Sequence, residues 1–351
     1  MVNGPDDVFV ERRGNIERVN FVFRDAEHLM QALLDLLLPL GDQVDYDRPH
    51  INVVLPEGRQ LSAILPPVSE GSAVFIIRST GGQAITSQDL VRFGTLTPDL
   101  AEFLRACVIA RVNILVSGGI GSARMTLLNV LCGFVPGDER IVVVNHLPAF
   151  PMQQEHVVLL QVQPQHAQGP RGATTSELID ASSTLRPDRL VVSDLTGDEA
   201  YTLIQVINAG HDGTLSTIFA RSTADALGRL EALCLNAQPN APVVTHRYQI
   251  ASAFDLIVHQ ERMRDGSRKI TQISEVLGIE NGQFVFQDIF RWEQTGYVGG
   301  RVVGGVQPTS IMPHIMDQIE ATGIRFPPSL FGIQDQPARR WWSRLFRGGA
   351  Q

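Results

Sequence analysis

The chain has 351 residues, of which 44% are hydrophobic and 19% charged, and a formal net charge of −8, which suits two domains of ordinary size. That acidic balance argues against general nucleic-acid affinity, because binding a phosphate backbone needs a basic surface. The three cysteines, Cys107, Cys132 and Cys234, form no CxxC pair, so neither a disulfide framework nor a zinc site is indicated and a reducing cytosol fits.

No apolar run approaches the roughly 20 residues that span a bilayer. Asp35 interrupts the longest leucine stretch, and the opening residues lead us to expect no signal peptide. The expectation is a soluble, cytoplasmic protein, with contact to a membrane surface left open.

Residues 7–23 alternate, with Val8 and Val10 before Arg13-Gly14-Asn15 and Phe21 and Phe23 after it, which predicts a hairpin. Asp25 reads as a helix cap. Leu29, Leu33, Leu36, Leu37 and Leu40 follow at helical spacing until Pro39 and Gly41 end the element. Strands are predicted over 51–55, 61–65 and 73–78, so residues 1–80 read as a small α+β domain. A polar hinge over 81–96 begins at Gly81-Gly82, and Thr97-Pro98-Asp99 is a strong helix start.

Asn113-Ile-Leu-Val-Ser-Gly-Gly-Ile-Gly-Ser-Ala-Arg-Met-Thr-Leu-Leu-Asn-Val-Leu131 reads as a buried strand, a glycine-rich turn and a helix. That is the frame of a phosphate-binding P-loop, in which backbone N–H groups and a helix N-terminus converge on an anion. The usual pattern ends in GK[ST], whereas Ala123, Arg124 and Met125 stand here. Beyond it, strand-like runs at 140–144, 157–162, 190–192 and 214–219 alternate with helix-like stretches at 175–185, 198–209 and 222–236. Alternation of that kind predicts an α/β fold with a largely parallel sheet. Closely spaced strands follow at 254–258, 269–276 and 283–289, with Asn281-Gly282 as a hairpin turn.

Several blocks around the loop carry a resemblance. They are Met1-Val-Asn-Gly-Pro-Asp6, Arg92-Phe-Gly-Thr-Leu-Thr97, Ala101-Glu-Phe-Leu-Arg-Ala106, Ser117-Gly-Gly-Ile-Gly-Ser122, Arg186-Pro-Asp-Arg189, Gly210-His-Asp-Gly213, Gln249-Ile-Ala-Ser-Ala253 and Arg264-Asp-Gly-Ser-Arg268. Together they resemble the type II/IV secretion ATPases, most closely the CpaF/TadA branch that powers tight-adherence (Flp) pilus assembly. The likeness runs from residue 1 to about 332. It implies a hexamer in which an N-terminal domain is joined by a mobile linker to a RecA-like P-loop domain over 97–332, with ATP bound at the subunit boundary.

Carried over position by position, the resemblance places nucleotide against Gly118, Gly119, Ile120, Gly121, Ser122, Ala123, Arg124, Met125 and Thr126, with Arg78 and His211 as further candidates. The family lysine falls at Arg124, whose planar fork is bulkier than an ammonium. The Mg²⁺-binding hydroxyl falls at Met125, a poor ligand for a hard ion. Thr126 lies about 100° further around the helix. The glutamate that polarises water falls at Asn145, which cannot accept a proton at neutral pH. The Walker B glutamate falls at Asp194 and the histidine of the His box at Phe219, and positions usually held by arginine carry Leu159, Gln163, Ser176, Asp180 and Thr184. The resemblance therefore implies ATP or ADP held weakly, Mg²⁺ disfavoured and little or no hydrolysis. For His211 the other reading is a residue of a turn built by Asp212.

The remaining histidines show no metal-ligand spacing. Residues 333–351 form a basic aromatic tail, where Arg340, Trp341, Trp342, Arg344, Leu345 and Phe346 suit anionic lipid or a partner groove; a disordered end is the alternative. Three functions stay open: an inactive motor-family subunit acting as scaffold or regulator, a slow ATPase using Arg124 and Asp194, and a membrane-docked adaptor. The partners implied are a homo-oligomer or a mixed ring with an active secretion ATPase, and an inner-membrane platform protein, with the chain peripheral at that membrane.

Overall fold

The computed structural model describes residues 1–12, 15–43, 49–55, 59–78, 85–145, 154–162 and 172–334. Strands β1 (Val2–Gly4), β2 (Asp7–Arg12) and β3 (Asn15–Arg18) are followed by helix α1 (Ala26–Leu37). With β4 (His50–Val54), β5 (Gln60–Ile64) and β6 (Val74–Arg78) they form a six-stranded antiparallel sheet of order β3-β2-β1-β6-β5-β4. Asp25 caps α1 by accepting from the His28 N–H at 2.8 Å, and Pro39, which cannot continue the i→i−4 ladder, falls in a 3₁₀ turn after Leu37. Leu29, Leu33 and Leu37 line one stripe of α1 and bury against Ile51, Leu61, Ala63 and Phe75, which is the use of their spacing. The expected hairpin stops at Arg18; Phe21 and Phe23 lie outside it, and the Phe23 N–H bonds to the Pro5 carbonyl instead.

The stretch read as a hinge holds a helix in its described part. There α2 (Ser87–Arg92) is started by a reciprocal capping box between Thr86 and Asp89. Helix α3 (Pro98–Ile109) is capped by Thr97 with proline in its first turn. The second sheet is built from β7 (Ile114–Gly118), then after helix α4 (Arg124–Cys132) from β8 (Ile141–Asn145) and β9 (Val157–Gln161). Helix α5 (Thr175–Thr184), β10 (Arg189–Leu195), α6 (Glu199–Asn208), β11 (Leu215–Phe219), α7 (Thr223–Ala237) and α8 (Val243–Ala253) continue the alternation. The sheet closes with β12 (Leu256–Arg262), β13 (Arg268–Glu280), β14 (Gln283–Val298) and β15 (Arg301–Pro308), and α9 (Met316–Ala321) follows.

Strand order is β15-β14-β13-β12-β7-β11-β10-β8-β9, parallel from β12 to β9 and antiparallel from β12 to β15. Helices cover both faces. Ile114 and Val116 point to the layer containing Phe103 of α3 and Leu127 of α4, while Leu115 points to the layer of α6, α7 and α8. That alternation is the strand period of two. Both faces of β7 are therefore buried, and its carboxyl end, where the chain turns toward α4, is held from both sides of the sheet. Among the described residues no helix is long and apolar enough to cross a membrane.

Candidate functional site

The glycine-rich turn occupies the carboxyl end of β7, between β11 and β12, where an open α/β sheet leaves a crevice for ligands. Gly118 is required there, because a β-carbon would collide with Ser122 Oγ and the Gln260 carbonyl. Gly121 has φ of 73° and Ala123, immediately before α4, has φ of 67°. The Ser122 N–H donates to the Gly119 carbonyl at 3.2 Å, closing the turn. Ile120 stands at its tip, 86% exposed. The strand, the turn and the helix start all have the P-loop form.

Arg124, the first residue of α4, points across the turn and not out of it. Its Nε donates to Asp194 Oδ1 at 2.9 Å, and Nη2 lies 2.9 Å from the same oxygen. Nη1 reaches back to the Gly119 carbonyl at 3.4 Å. The guanidinium also lies over the Phe219 ring, 5.4 Å from its centroid, and Arg229 lies over that ring at 5.2 Å. Phe219 pairs in register with Gly118, so the aromatic face sits beside the turn.

Asp194 is brought there by an irregularity in β10. Its register with β11 shifts between Val192 and Leu195, and Asp194 takes φ of 47°, so a bulge swings the carboxylate toward the turn. Thr217 fixes it from β11: its Oγ1 accepts from the Asp194 N–H at 2.8 Å and lies 2.9 Å from Oδ1. Met125 Sδ lies 3.6 Å from the same hydroxyl, so a thioether occupies the place where a hydroxyl would meet a hard cation. Thr126 follows on α4, half-buried. Asn145 ends β8, buried, and its Oδ1 accepts from Ser193 Oγ at 2.5 Å. No carboxylate stands at that position to take a proton from water.

The β12–β13 hairpin closes over the turn, which sequence reasoning did not foresee. Gln260 Nε2 donates to the Ser122 carbonyl at 2.6 Å and Arg268 Nε to the Gly121 carbonyl at 3.2 Å. Arg262 packs against Gly121. Beneath the turn, Ser117 Oγ and His259 Nδ1 are 2.8 Å apart and both side chains are buried. The signal available was the Arg264–Arg268 block, whose partner in space is set by the pairing of β12 with β7 and not by any local pattern.

Two of the nucleotide candidates lie elsewhere in this chain. His211 precedes β11, at the opposite end of that strand from Phe219, and its Nδ1 lies 3.1 Å from the Val206 carbonyl. It belongs to a turn that Thr214 Oγ1 closes by donating to the His211 carbonyl at 2.8 Å. Gly213 in that turn lies directly over the buried Arg189, which pairs with Glu139. Arg78 ends β6 in the other sheet, exposed. Arg340, Trp341, Trp342, Arg344, Leu345 and Phe346, with His146 and Gln163, lie outside the described residues. Among the described residues no cluster of three or more His, Cys, Asp or Glu side chains could hold a metal ion.

A family model described as type II/IV secretion system protein matches residues 1–300. The chain belongs to this family. Among its relatives, the conjugal transfer protein TrbB of Rhizobium radiobacter is 29% identical over 304 residues, covering 85% of this chain and 89% of that protein. A putative conjugal transfer protein of Mycobacterium tuberculosis is 28% identical over 281 residues, covering 78% and 79%. Among solved structures, the pilus retraction motor PilT with bound ADP aligns over 91% of this chain and 81% of its own, with a TM-score of 0.54 and 14% identity. That likeness shows the fold. At the turn of this chain the cation of α4 and the carboxylate of β10 are bonded to each other, and Met125 presents a thioether, a poor ligand for a hard cation.

Proposed function

We propose that the chain is a non-hydrolysing member of the secretion ATPase family, of the CpaF/TadA tight-adherence pilus branch, serving as scaffold or regulator within a ring of motor subunits. One observation carries the reading: Arg124 is bonded to Asp194. Phosphoryl transfer needs a cation on the phosphates, an oxygen ligand for Mg²⁺ and an oriented water. Arg124 and Asp194 neutralise each other, and Asn145 is no base. The same pairing weighs against a slow ATPase that would use Arg124 on phosphate and Asp194 on water.

The organisation that goes with this reading is an N-terminal domain over 1–80, a linker over 81–96, a motor-like domain over 97–332 and a tail over 333–351. Four arginines, two tryptophans, Leu345 and Phe346 within 339–347 favour docking at an anionic inner-membrane surface or on a platform protein there. Steady-state phosphate release from Mg²⁺-ATP tests the central claim, and background turnover is expected. Turnover at the level of active secretion ATPases, abolished by Arg124→Ala, would overturn it. Native mass measurement after co-expression with a relative that has an intact GK[ST] loop should give mixed oligomers, and a strictly monomeric chain would count against any ring role.

A further inference from the structure

We propose that Arg124, Asp194 and Phe219 form an internal latch that masks the anion-binding capacity of the turn, so that the capacity is hidden by the protein itself and has not been lost. The inference rests on the non-hydrolysing reading and goes further, since it says what fills the turn in place of nucleotide. Asp194 Oδ1 gathers three groups: Arg124 Nε and Nη2 and Thr217 Oγ1, each at 2.9 Å. The third guanidinium nitrogen faces the Gly119 carbonyl at 3.4 Å, which places it within the turn. The flat face is held by Phe219. Side-chain exposure is only 18% for Arg124 and 29% for Asp194, so solvent screens the pair less than it would a surface pair.

Lysine could not make this arrangement. A single ammonium has neither the planar fork that spans a carboxylate and a carbonyl nor a face to lay on an aromatic ring. Arginine at 124 with phenylalanine at 219 is therefore a matched set. Meanwhile the backbone of the turn retains the left-handed residues Gly121 and Ala123 and ends on the amino terminus of α4, the geometry that holds phosphate when a cation is free to join it. An incoming polyphosphate must pull Arg124 off Asp194 and then face that uncovered carboxylate. Both costs oppose binding; removing the Asp194 charge lowers the first, since a neutral amide oxygen holds the guanidinium less strongly, and abolishes the second.

The test uses the full chain and inorganic tripolyphosphate without metal, followed by equilibrium dialysis. Wild type is expected to bind weakly or not at all. Asp194→Asn should bind at least tenfold more tightly, because the cation is held less strongly and the repelling charge is gone. Adding Arg124→Ala to Asp194→Asn should return affinity to the wild-type level. Phe219→Ala, which removes the ring alone, should give a smaller gain and serves if Asp194→Asn does not fold. Folded Asp194→Asn and Phe219→Ala proteins that bind no more tightly than wild type would overturn the latch. Phosphate release by wild type is scored separately: turnover there would sink the non-hydrolysing reading whatever the affinity ratios, and its absence with unchanged affinities would sink the latch alone.

Discussion

Ala123 holds a left-handed backbone with φ of 67°, at the place where the usual loop pattern has its second glycine. An L-residue there costs about 1–2 kcal/mol, part of which glycine gives back through the about 0.4–1 kcal/mol of extra freedom it has when unfolded. Ala123→Gly should therefore stabilise the chain by about 0.5–1 kcal/mol, read as a rise in the midpoint of urea unfolding. A loss of stability would mean that the turn is relaxed with alanine in place. The departures from the loop pattern at 123, 124 and 125 were legible because that pattern is a local string. The direction of Arg124 was not, since its partner lies 70 positions away and no local period encodes such a contact. His211, in a block shared in sequence with the family, lies in a turn at the far end of β11 that is held by side-chain bonds to backbone carbonyls.

At the scale of elements, the buried strands and most of the capped helices were readable, because continuous apolar runs and Ser/Thr/Asp caps are dictated by burial and by orphan N–H groups; α2 was read as hinge although Thr86 and Asp89 cap it. The far half of β14 and all of β15 were missed. Those strands hold exposed polar residues and the glycines Gly296, Gly304 and Gly305, so they show no alternation of hydrophobic and polar positions. Helix α9 has six residues, too few to show a period. What fastens that region is a buried acid: Glu275 of β13 accepts from the Ile315 N–H at 2.7 Å, the His314 N–H at 3.0 Å and Gln287 Nε2 at 2.6 Å. Glu275→Ala strands the buried Ile315 N–H and the part-buried His314 N–H, and at about 1–3 kcal/mol for a buried group left unmet it should cost about 2–3 kcal/mol in urea unfolding. Glu275→Gln, which keeps one oxygen, should cost about half as much. If both cost under about 0.5 kcal/mol, the acid is not what fastens α9.

For the whole molecule, the alternation of strands and helices foretold a parallel sheet covered on both faces, and the fold has it. The sequence could not say that β12 lies beside β7, because pairing across more than a hundred residues is set by the completed sheet. That pairing converges on Asn113, just before β7. Its carbonyl accepts from the N–H groups of Asp255 and Leu256, and its Oδ1 from the Thr214 N–H. Asp255 Oδ2 accepts from the Asn113 N–H at 2.8 Å. Burial, and to a lesser degree the neighbouring charges of Asp212 and Glu275, push the Asp255 carboxyl up to about 6 against that hydrogen bond. A carboxyl raised in the folded state holds its proton there while the unfolded chain has already released it, so the native state binds more protons between about pH 4 and pH 6. The contribution of Asp255 to stability is thus complete below about pH 4 and lost as pH rises through about 6, a change of up to about 3 kcal/mol at 1.36 kcal/mol per unit. Asp255→Asn keeps an oxygen for the Asn113 N–H and removes the charge, so its unfolding free energy should not decline across that window as the wild type's does. Asp212→Asn should move the wild-type decline to lower pH. Parallel pH profiles for wild type and Asp255→Asn, measured by urea unfolding from pH 4 to pH 7, would show that the proton resides elsewhere.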